Sequence, residues 1–229
     1  MNPILLQVAD PNLVKVGTKE ISLWELIAGP GGSSLYVMVP IMIMSIIAVY
    51  IIVERYLVVQ RAKKSDDVFI AKVKDYLNDG KIDAAKSLCE STNTPVGRML
   101  EKGVSRIGYS IDDINSAMEN KAKLEMFDLE KNLSLLATIA GAGPLMGLIG
   151  TVIGMVRTFY GIANSGKGVE ISVLAGGVYQ AMIATVGGLI VGIIAYIGYN
   201  LFVSKVQKIV HQMELRGVEF IELLQQKVK

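Results

Sequence analysis

Three long stretches without a charged side chain constrain the fold of this chain more than any other feature. No Asp, Glu, Lys, Arg or His occurs within residues 26–53, 132–156 or 171–204. Each stretch exceeds the roughly 20 apolar residues that cross a bilayer core of about 30 Å. A buried helix of a soluble protein rarely lacks every charge over such a length, and here the pattern occurs three times. The sequence therefore predicts a membrane protein with three transmembrane helices.

The ends of the spans follow from flanking charges and turn residues. The stretch Gly29–Ser34 reads as a turn before the first span, and Ser22–Ile27 with its Trp24 reads as a short interfacial helix. Pro40 and Pro144 are tolerable inside spans, because neighbouring helices can satisfy the backbone groups that a proline frees. The predicted division is an N-terminal segment 1–34, transmembrane helix 1 over 35–54, a long loop 55–131, transmembrane helix 2 over 132–156, a short loop 157–170, transmembrane helix 3 over 171–203, and a C-terminal helix 204–229.

The distribution of basic residues predicts the orientation in the membrane. The segment Glu54–Lys131 holds fourteen Lys and Arg residues, whereas the loop 157–170 holds only Arg157 and Lys167. Basic loops stay in the cytoplasm. The long loop and the C-terminal tail are therefore predicted to be cytoplasmic, and the N-terminus and the short loop to face the outside of the membrane.

Helical periodicity continues outside the spans. Apolar residues recur at helical spacing within 67–77, 82–89 and 96–107, and again along the tail 205–226. Ser110 followed by Asp113 resembles a capping box, and we expect it to begin a long helix that runs into the second span. The predicted fold class is all-α, with three transmembrane helices of which the second and third extend into a cytoplasmic helical bundle.

Several functional classes are disfavoured by what the sequence lacks. The single cysteine, Cys89, cannot form an internal disulfide, and the single histidine, His211, cannot build a His-rich metal site. No phosphate-binding loop, metalloprotease, hydrolase or kinase signature occurs. A net charge of +2 argues against a general nucleic-acid binder. We therefore expect no enzyme activity, cofactor or metal. The N-terminus has no basic region before its short apolar run, so we interpret it as mature.

The second and third charge-free stretches are crowded with small residues. Small residues let helices approach closely in lipid, so helix packing is the favoured interpretation for the glycines. Their number suggests in addition a tightly packed oligomer, or one that closes around another helix. The stripes are Gly143, Gly147, Gly150 and Gly154 on the second span, and Gly177, Ala181 and Thr185, then Gly188, Gly192 and Ala195, on the third.

Three polar side chains lie deep in the spans: Thr151, Gln180 and Thr185. A membrane threonine commonly bonds a carbonyl of its own helix, and each threonine taken singly favours that structural role. Alternatively, the three groups lie across the membrane interior from one another or line a wet cavity. Gln180 is costlier to bury and is expected to face protein or water. Since the spans contain no titratable acid or base, a protein that moves protons here needs a carboxylate from a partner helix.

Two motifs in these spans resemble the ExbB/TolQ/MotA family of ion-driven motor subunits. The segment Gly143–Met155, GPLMGLIGTVIGM, is similar to the family's second-span motif. The segment Val178–Asn200, VYQAMIATVGGLIVGIIAYIGYN, is similar to the third-span motif. Glu54 and Arg55 after the first span also match, and the resemblance covers the whole three-span topology.

The resemblance implies a function and a site. Family members form a ring, in ExbB a pentamer, around helices of a smaller partner (ExbD or TolR) that carries an essential Asp. Ion flow then energises a periplasmic effector, TonB or TolA. Thr151 and Thr185 would be the hydroxyls that face the partner's Asp, with Gln180 near the ion pathway. The residues implied to pack the helices or line the pore are Pro144, Gly147, Gly150, Gly154, Ala181 and Gly188.

The chain departs from the family pattern at two positions. Some members have Glu where this chain has Gln180, so a role for that acid cannot carry over, and some have Pro where this chain has Ile194. We favour an ExbB-like subunit, with a TolQ-like subunit as the nearest alternative. A non-conducting membrane scaffold is the alternative from another class. A flagellar stator would have four spans, and a transporter would show an internal repeat.

Overall fold

A computed structural model describes residues 35–62, 67–164 and 171–227, and across these ranges every regular element is an α-helix. The predicted all-α class is confirmed. The expectations for the turn Gly29–Ser34 and the interfacial helix Ser22–Ile27 lie outside the described residues. The helices are α1 (Leu35–Ala62), α2 (Asp67–Asn78), α3 (Ile82–Ser91), α4 (Pro95–Val104), α5 (Ile111–Glu130), α6 (Leu133–Asn164) and α7 (Ile171–Lys227).

Three long helices carry the apolar stretches, and the prediction of three candidate spans is confirmed by their length and composition. Helices α6 and α7 pack against each other most extensively, and α1 packs against both. Their mutual contact buries Ile51, Leu136 and Ala195 almost completely. The outward faces are apolar and exposed, for example at Ile46 and Ile193, as expected where lipid is the solvent.

The half of α7 beyond the apolar stretch joins α2–α5 in a second helical bundle. Because α7 runs unbroken for 57 residues, it is about 85 Å long at 1.5 Å per residue and connects both parts of the fold. The bundle core contains Val73, Leu100, Met118 and Met213, each at most 3% exposed. The predicted start of α5 is confirmed, since the Ser110 hydroxyl accepts a hydrogen bond of 3.1 Å from the backbone N–H of Asp113.

The expected continuous helix into the second span is wrong, because the chain breaks between α5 and α6. Helix α5 ends at Glu130, and α6 begins at Leu133. Asn132 adopts a φ of +63°, in the left-handed region that Asn tolerates better than most residues. Its carbonyl then accepts the first hydrogen bond of α6, from Leu136 N at 3.2 Å. The periodicity could not reveal this break, since no proline or glycine marks it.

The expected loop 157–170 is helical over its first half. Helix α6 continues to Asn164, about two turns beyond Arg157. No proline interrupts these turns, and Gly161 is the residue in them with the lowest helix propensity. The helix that contains the second candidate span therefore continues beyond Arg157, the charged residue that the sequence analysis took as the end of the span.

A buried ion pair fixes α4 against α5. Glu125 is 3% exposed. Its carboxylate accepts a hydrogen bond of 2.8 Å from Arg98 Nε and lies 2.9 Å from Lys121 Nζ. Burial alone would raise the pKa of Glu125, but the bonds from Arg98 and Lys121 outweigh burial and lower the pKa of this carboxyl. The carboxylate is a structural part of the bundle.

Cys89 is buried completely in the bundle, and we expect it to be unreactive in the folded protein. Burial, with smaller effects from Glu101 and Glu90, raises the pKa of its thiol to about 12. Because the thiolate is the nucleophile, maleimide labelling at pH 8 should be about a thousandfold slower than for an ordinary thiol. A Cys89→Ala protein with the exposed Ser116→Cys is the control. Equal labelling rates, measured by mass, would contradict the described packing of the bundle.

Candidate functional site

The contact between α6 and α7 is built from backbones that touch through glycine. A Cβ added at Gly147 would lie 2.9 Å from Thr185 Cα and 3.0 Å from Ala184 O. A Cβ at Gly188 would collide with Gly143 O and lie 3.0 Å from Gly147 Cα. These neighbours are backbone atoms, which cannot move aside as a flexible side chain can. Gly147 and Gly188 therefore set how closely the two helices approach.

The same contact continues along both helices. A Cβ at Gly150 would lie 2.7 Å from Ala184 Cβ, and one at Gly154 would lie 2.6 Å from Ala181 Cβ. Toward the other end, a Cβ at Gly192 would lie 2.6 Å from Pro144 Cδ and 3.1 Å from Ala140 O, the carbonyl that Pro144 leaves without its helical donor.

The small-residue stripes thus join two helices of one chain, in agreement with helix packing as the favoured interpretation, and the oligomer that their number suggested stays a prediction. Ala195, at the end of one stripe, is also fully buried within the chain. Any role of these residues in lining a pore stays a prediction.

Thr185 joins the two helices by a side-chain hydrogen bond. Its hydroxyl donates to Gly147 O at 2.8 Å, across 38 positions of sequence. The side chain is half-buried. This bond is possible because Gly147 has no side chain between its carbonyl and α7. The sequence predicted an internal bond as the structural role of Thr185, but placed the acceptor on its own helix.

Thr151 forms the local bond expected of a membrane threonine. Its hydroxyl donates to Leu148 O at 2.7 Å, one turn back on α6. Since Gly147 is the position opposite Thr185, Thr151 lies one helical turn, about 6 Å, farther along α6. Both hydroxyls donate their only proton to a carbonyl. Each therefore offers only oxygen lone pairs to any further group.

Gln180 lies apart from the two threonines, in a groove near the ends of α6 and α7. The groove has a volume of about 270 Å³, and its polar lining residues are Arg157, Thr158 and Gln180. Glycines and alanines of both helices, Ile153 of α6 and Val37 of α1 form the rest. The expectation that Gln180 faces protein or water, like its place near an ion pathway, stays a prediction. Arg157, which the sequence analysis used only as the end of a span, was missed as its neighbour.

Arg55 has a structural role that the sequence did not reveal. It is 3% exposed, and its guanidinium donates to Asp128 O at 3.0 Å and Leu129 O at 3.3 Å, the last carbonyls of α5. It also donates to Glu54 Oε1 at 2.6 Å, while Asn132 Nδ2 donates to Glu54 Oε2 at 2.9 Å. An Arg–Glu pair after an apolar span normally indicates a membrane-surface anchor. Here the pair holds α1 to the α5–α6 turn.

The described residues place no acid or base in the apolar stretches beside Thr151 and Thr185, and they contain no cluster of three His, Cys, Asp or Glu side chains suited to a metal ion. What the two helices do offer is two hydroxyl oxygens in an apolar setting, in a part-buried hydrogen bond at Thr185 and an exposed one at Thr151. Such groups can accept hydrogen bonds from an acid on another helix but do not themselves take up or release a proton at neutral pH.

Comparison with known proteins identifies the family. The model of the MotA/TolQ/ExbB proton channel family matches residues 91–215, more than half of the chain and the whole of the α6–α7 contact. A Synechocystis sp. protein named as an ExbB-like biopolymer transport protein is 30% identical over 170 residues, which cover 73% of this chain and 67% of that protein.

Two further relatives represent the two branches of the family, one named ExbB and the other TolQ. The ExbB biopolymer transport protein of Aquifex aeolicus is 42% identical over 90 residues, or 39% of this chain and 60% of that protein. The TolQ protein of the Tol-Pal system in Pseudomonas aeruginosa is 26% identical over 230 residues, covering 96% of this chain and 97% of that protein. With its three apolar helices, this chain is a multi-pass membrane protein that belongs to the MotA/TolQ/ExbB proton channel family.

Proposed function

We propose that this chain is an ExbB-like subunit of an ion-driven motor in a bacterial inner membrane. In this proposal the N-terminus is periplasmic and the C-terminus cytoplasmic. Several copies, five by the family resemblance, surround an ExbD-like single-span partner with a membrane Asp, and a TonB-like effector receives the work. The observation that carries the proposal is the pair of hydroxyls, Thr151 and Thr185, whose protons are engaged and whose lone pairs remain available.

The hydrogen-bond state of the threonines suggests how an acid would behave beside them. A protonated carboxyl donates one hydrogen bond, and an acceptor-only hydroxyl satisfies it. A carboxylate needs donors, and neither threonine has a proton left to give. The contact therefore favours the neutral acid and raises the pKa of a partner Asp that enters it. The Asp would release its proton only after moving to a place with donors or water.

Replacing Thr151 or Thr185 with Val tests this function. Valine has nearly the shape of threonine but leaves the partner's acid without an acceptor, at a cost of about 1–3 kcal/mol. We expect ion transfer to slow by about 5-fold to 150-fold in each variant. The assay is proton flux into vesicles that contain this chain with its partner, and Thr185→Ser should keep most of the flux.

Thr138→Val is the matched control. Thr138 lies on the same helix and also donates to its own helix, to Ser134 O at 2.9 Å, but it is exposed and outside the α6–α7 contact. Its replacement should leave the flux unchanged. Full flux in both Thr151→Val and Thr185→Val would contradict the motor proposal and favour a non-conducting scaffold.

The first experiment is to co-express this chain with the small single-span protein expected to be its partner, and to determine the structure of the complex. A ring that encloses partner helices, with an Asp beside Thr151 and Thr185, is the expected result. A ring with only lipid inside, or no complex, would overturn ion transfer through this chain.

A TolQ-like function is the second candidate, favoured by the alignment with the P. aeruginosa TolQ protein along nearly its whole length. Complementation separates the branches. An ExbB-like subunit restores TonB-dependent uptake to a strain without ExbB, whereas a TolQ-like one restores detergent resistance to a strain without TolQ.

A further inference from the structure

A basic groove lies between the end of α1 and α7, where charged residues first follow the apolar stretches. Its volume is about 440 Å³. Within the described residues, no carboxylate lies within ion-pair distance of either lysine in its lining. Two uncompensated ammonium groups at one groove favour an anionic ligand. The lining residues are Tyr56, Val59 and Gln60 of α1, and Lys205, Lys208, Ile209 and Gln212 of α7.

The depth of this groove matches that of phospholipid headgroups. Lys205 directly follows the charge-free stretch 171–204, and Tyr56 lies three residues after the charge-free stretch 26–53. At 1.5 Å per residue, Tyr56 and Lys208 lie about 5 and 6 Å beyond the last uncharged positions. The headgroup layer on each side of a bilayer is about 5–8 Å thick. Both lysines therefore lie at headgroup level.

Aromatic rings position one of the two ammonium groups. Lys205 Nζ lies 5.8 Å from the centre of the Tyr56 ring and 5.7 Å from the centre of the Phe202 ring. Cation–π contacts of this kind hold the ammonium without using its N–H donors. The ammonium group of Lys205 is thus held beside the groove, and its N–H donors remain available to a ligand.

Exposed apolar side chains continue from the groove toward the membrane core. Leu201 and Ile197 lie one and two turns before Lys205 on α7, and Leu57 and Val53 lie on the adjoining end of α1. A lipid with its phosphate in the groove would lay its acyl chains along these two strips. A soluble anion would make no contact with these apolar side chains.

We propose that this groove binds the headgroup of an anionic phospholipid, with the phosphate between Lys205 and Lys208 and the remaining headgroup atoms beside Gln60 and Gln212. The proposal rests on the proposed function only for the assignment of this leaflet as cytoplasmic. Lipid binding can be read without measuring ion transfer, so failure of one proposal is distinguishable from failure of the other.

The test compares lipid association in nanodiscs of phosphatidylcholine containing spin-labelled phosphatidylglycerol or spin-labelled phosphatidylcholine. We expect the native protein to retain phosphatidylglycerol preferentially. The double variant Lys205→Gln/Lys208→Gln should weaken that association by up to about 30-fold, the product of roughly fivefold for each lysine near an anionic surface. Lys123→Gln/Lys131→Gln removes the same charge on the same side of the membrane but outside the groove, and should retain most of the preference.

Three results would overturn the proposal. The first is equal phosphatidylglycerol association in the groove and control variants, which would leave only a general surface charge effect. The second is that millimolar inorganic phosphate raises the melting temperature in neutral detergent as much as phosphatidylglycerol does, which would make the groove a soluble-anion site. The third is dissociation of the oligomer in Lys205→Gln/Lys208→Gln with unchanged lipid association, which would assign the groove to contact between copies.

Discussion

Gly188→Ala should remove most of the folded protein from the membrane, although it adds a single methyl group. The new Cβ would collide with Gly143 O and lie 3.0 Å from both Cα and N of Gly147. Overpacking against movable side chains costs about 1–3 kcal/mol, and backbone that cannot move costs more. Relief requires α6 and α7 to separate, which would also stretch the bond between Thr185 and Gly147 O. Accumulation in membranes and the melting temperature in detergent are the measurements.

The neighbouring glycine provides the control. A Cβ at Gly187 would meet only Ile41 Cγ2, at 4.0 Å, an ordinary contact. Both substitutions gain the same helix propensity, up to about 1 kcal/mol, so Gly187→Ala should be neutral or stabilising. The difference between the two variants isolates the helix contact. Equal melting temperatures would show that α6 and α7 do not approach as closely as described.

The sequence predicted the membrane part of the fold well because lipid imposes a simple rule. Charge is excluded over a length fixed by the bilayer, so the three charge-free stretches marked α1, α6 and α7. Small residues at helical spacing correctly indicated close packing of α6 and α7. They could not indicate whether the partner helix belonged to the same chain, since glycine packs alike against either.

The errors lie where tertiary contacts override local signals. Asn132 lies between α5 and α6 in a left-handed backbone conformation. Most asparagines in proteins do not adopt this conformation, so the residue type alone did not predict the break. Thr185 donates its hydrogen bond to Gly147 O on α6 and not to a carbonyl of α7. Because the two residues are 38 positions apart, predicting this bond required knowing the register between the two helices. Periodicity describes one helix at a time and contains no information about that register.

Arg55→Met should be the second severely destabilising change. It removes the donor that satisfies Asp128 O and Leu129 O, and it leaves Glu54 without its cation. Each of these carbonyls left without a donor costs about 1–3 kcal/mol, and the partly exposed Glu54 loses its charge partner in addition. Arg55→Lys should be nearly as harmful, since one ammonium cannot reach two carbonyls and a carboxylate with the spread of a guanidinium.

Arg61→Met gives the comparison, because Arg61 is exposed on the last turn of the same helix. It should change the melting temperature little. If the two variants melt alike, Arg55 does not hold the turn.

Two substitutions of Asn132 separate the effect of the hydrogen bonds around Glu54 from the effect of losing a buried side chain. Asn132→Gly keeps the left-handed backbone at no steric cost but removes the bond to Glu54 Oε2. Because Glu54 is 28% exposed, water can replace that bond, and we expect a loss of about 1 kcal/mol. Asn132→Leu loses the bond and strains the backbone as well, so it should lose about 1–3 kcal/mol more. The expected order of stability is therefore Asn132→Gly above Asn132→Leu, with Arg55→Met the least stable. This order is expected if the end of α1 fixes the α5–α6 turn, and so the direction in which α6 enters the membrane beside α7.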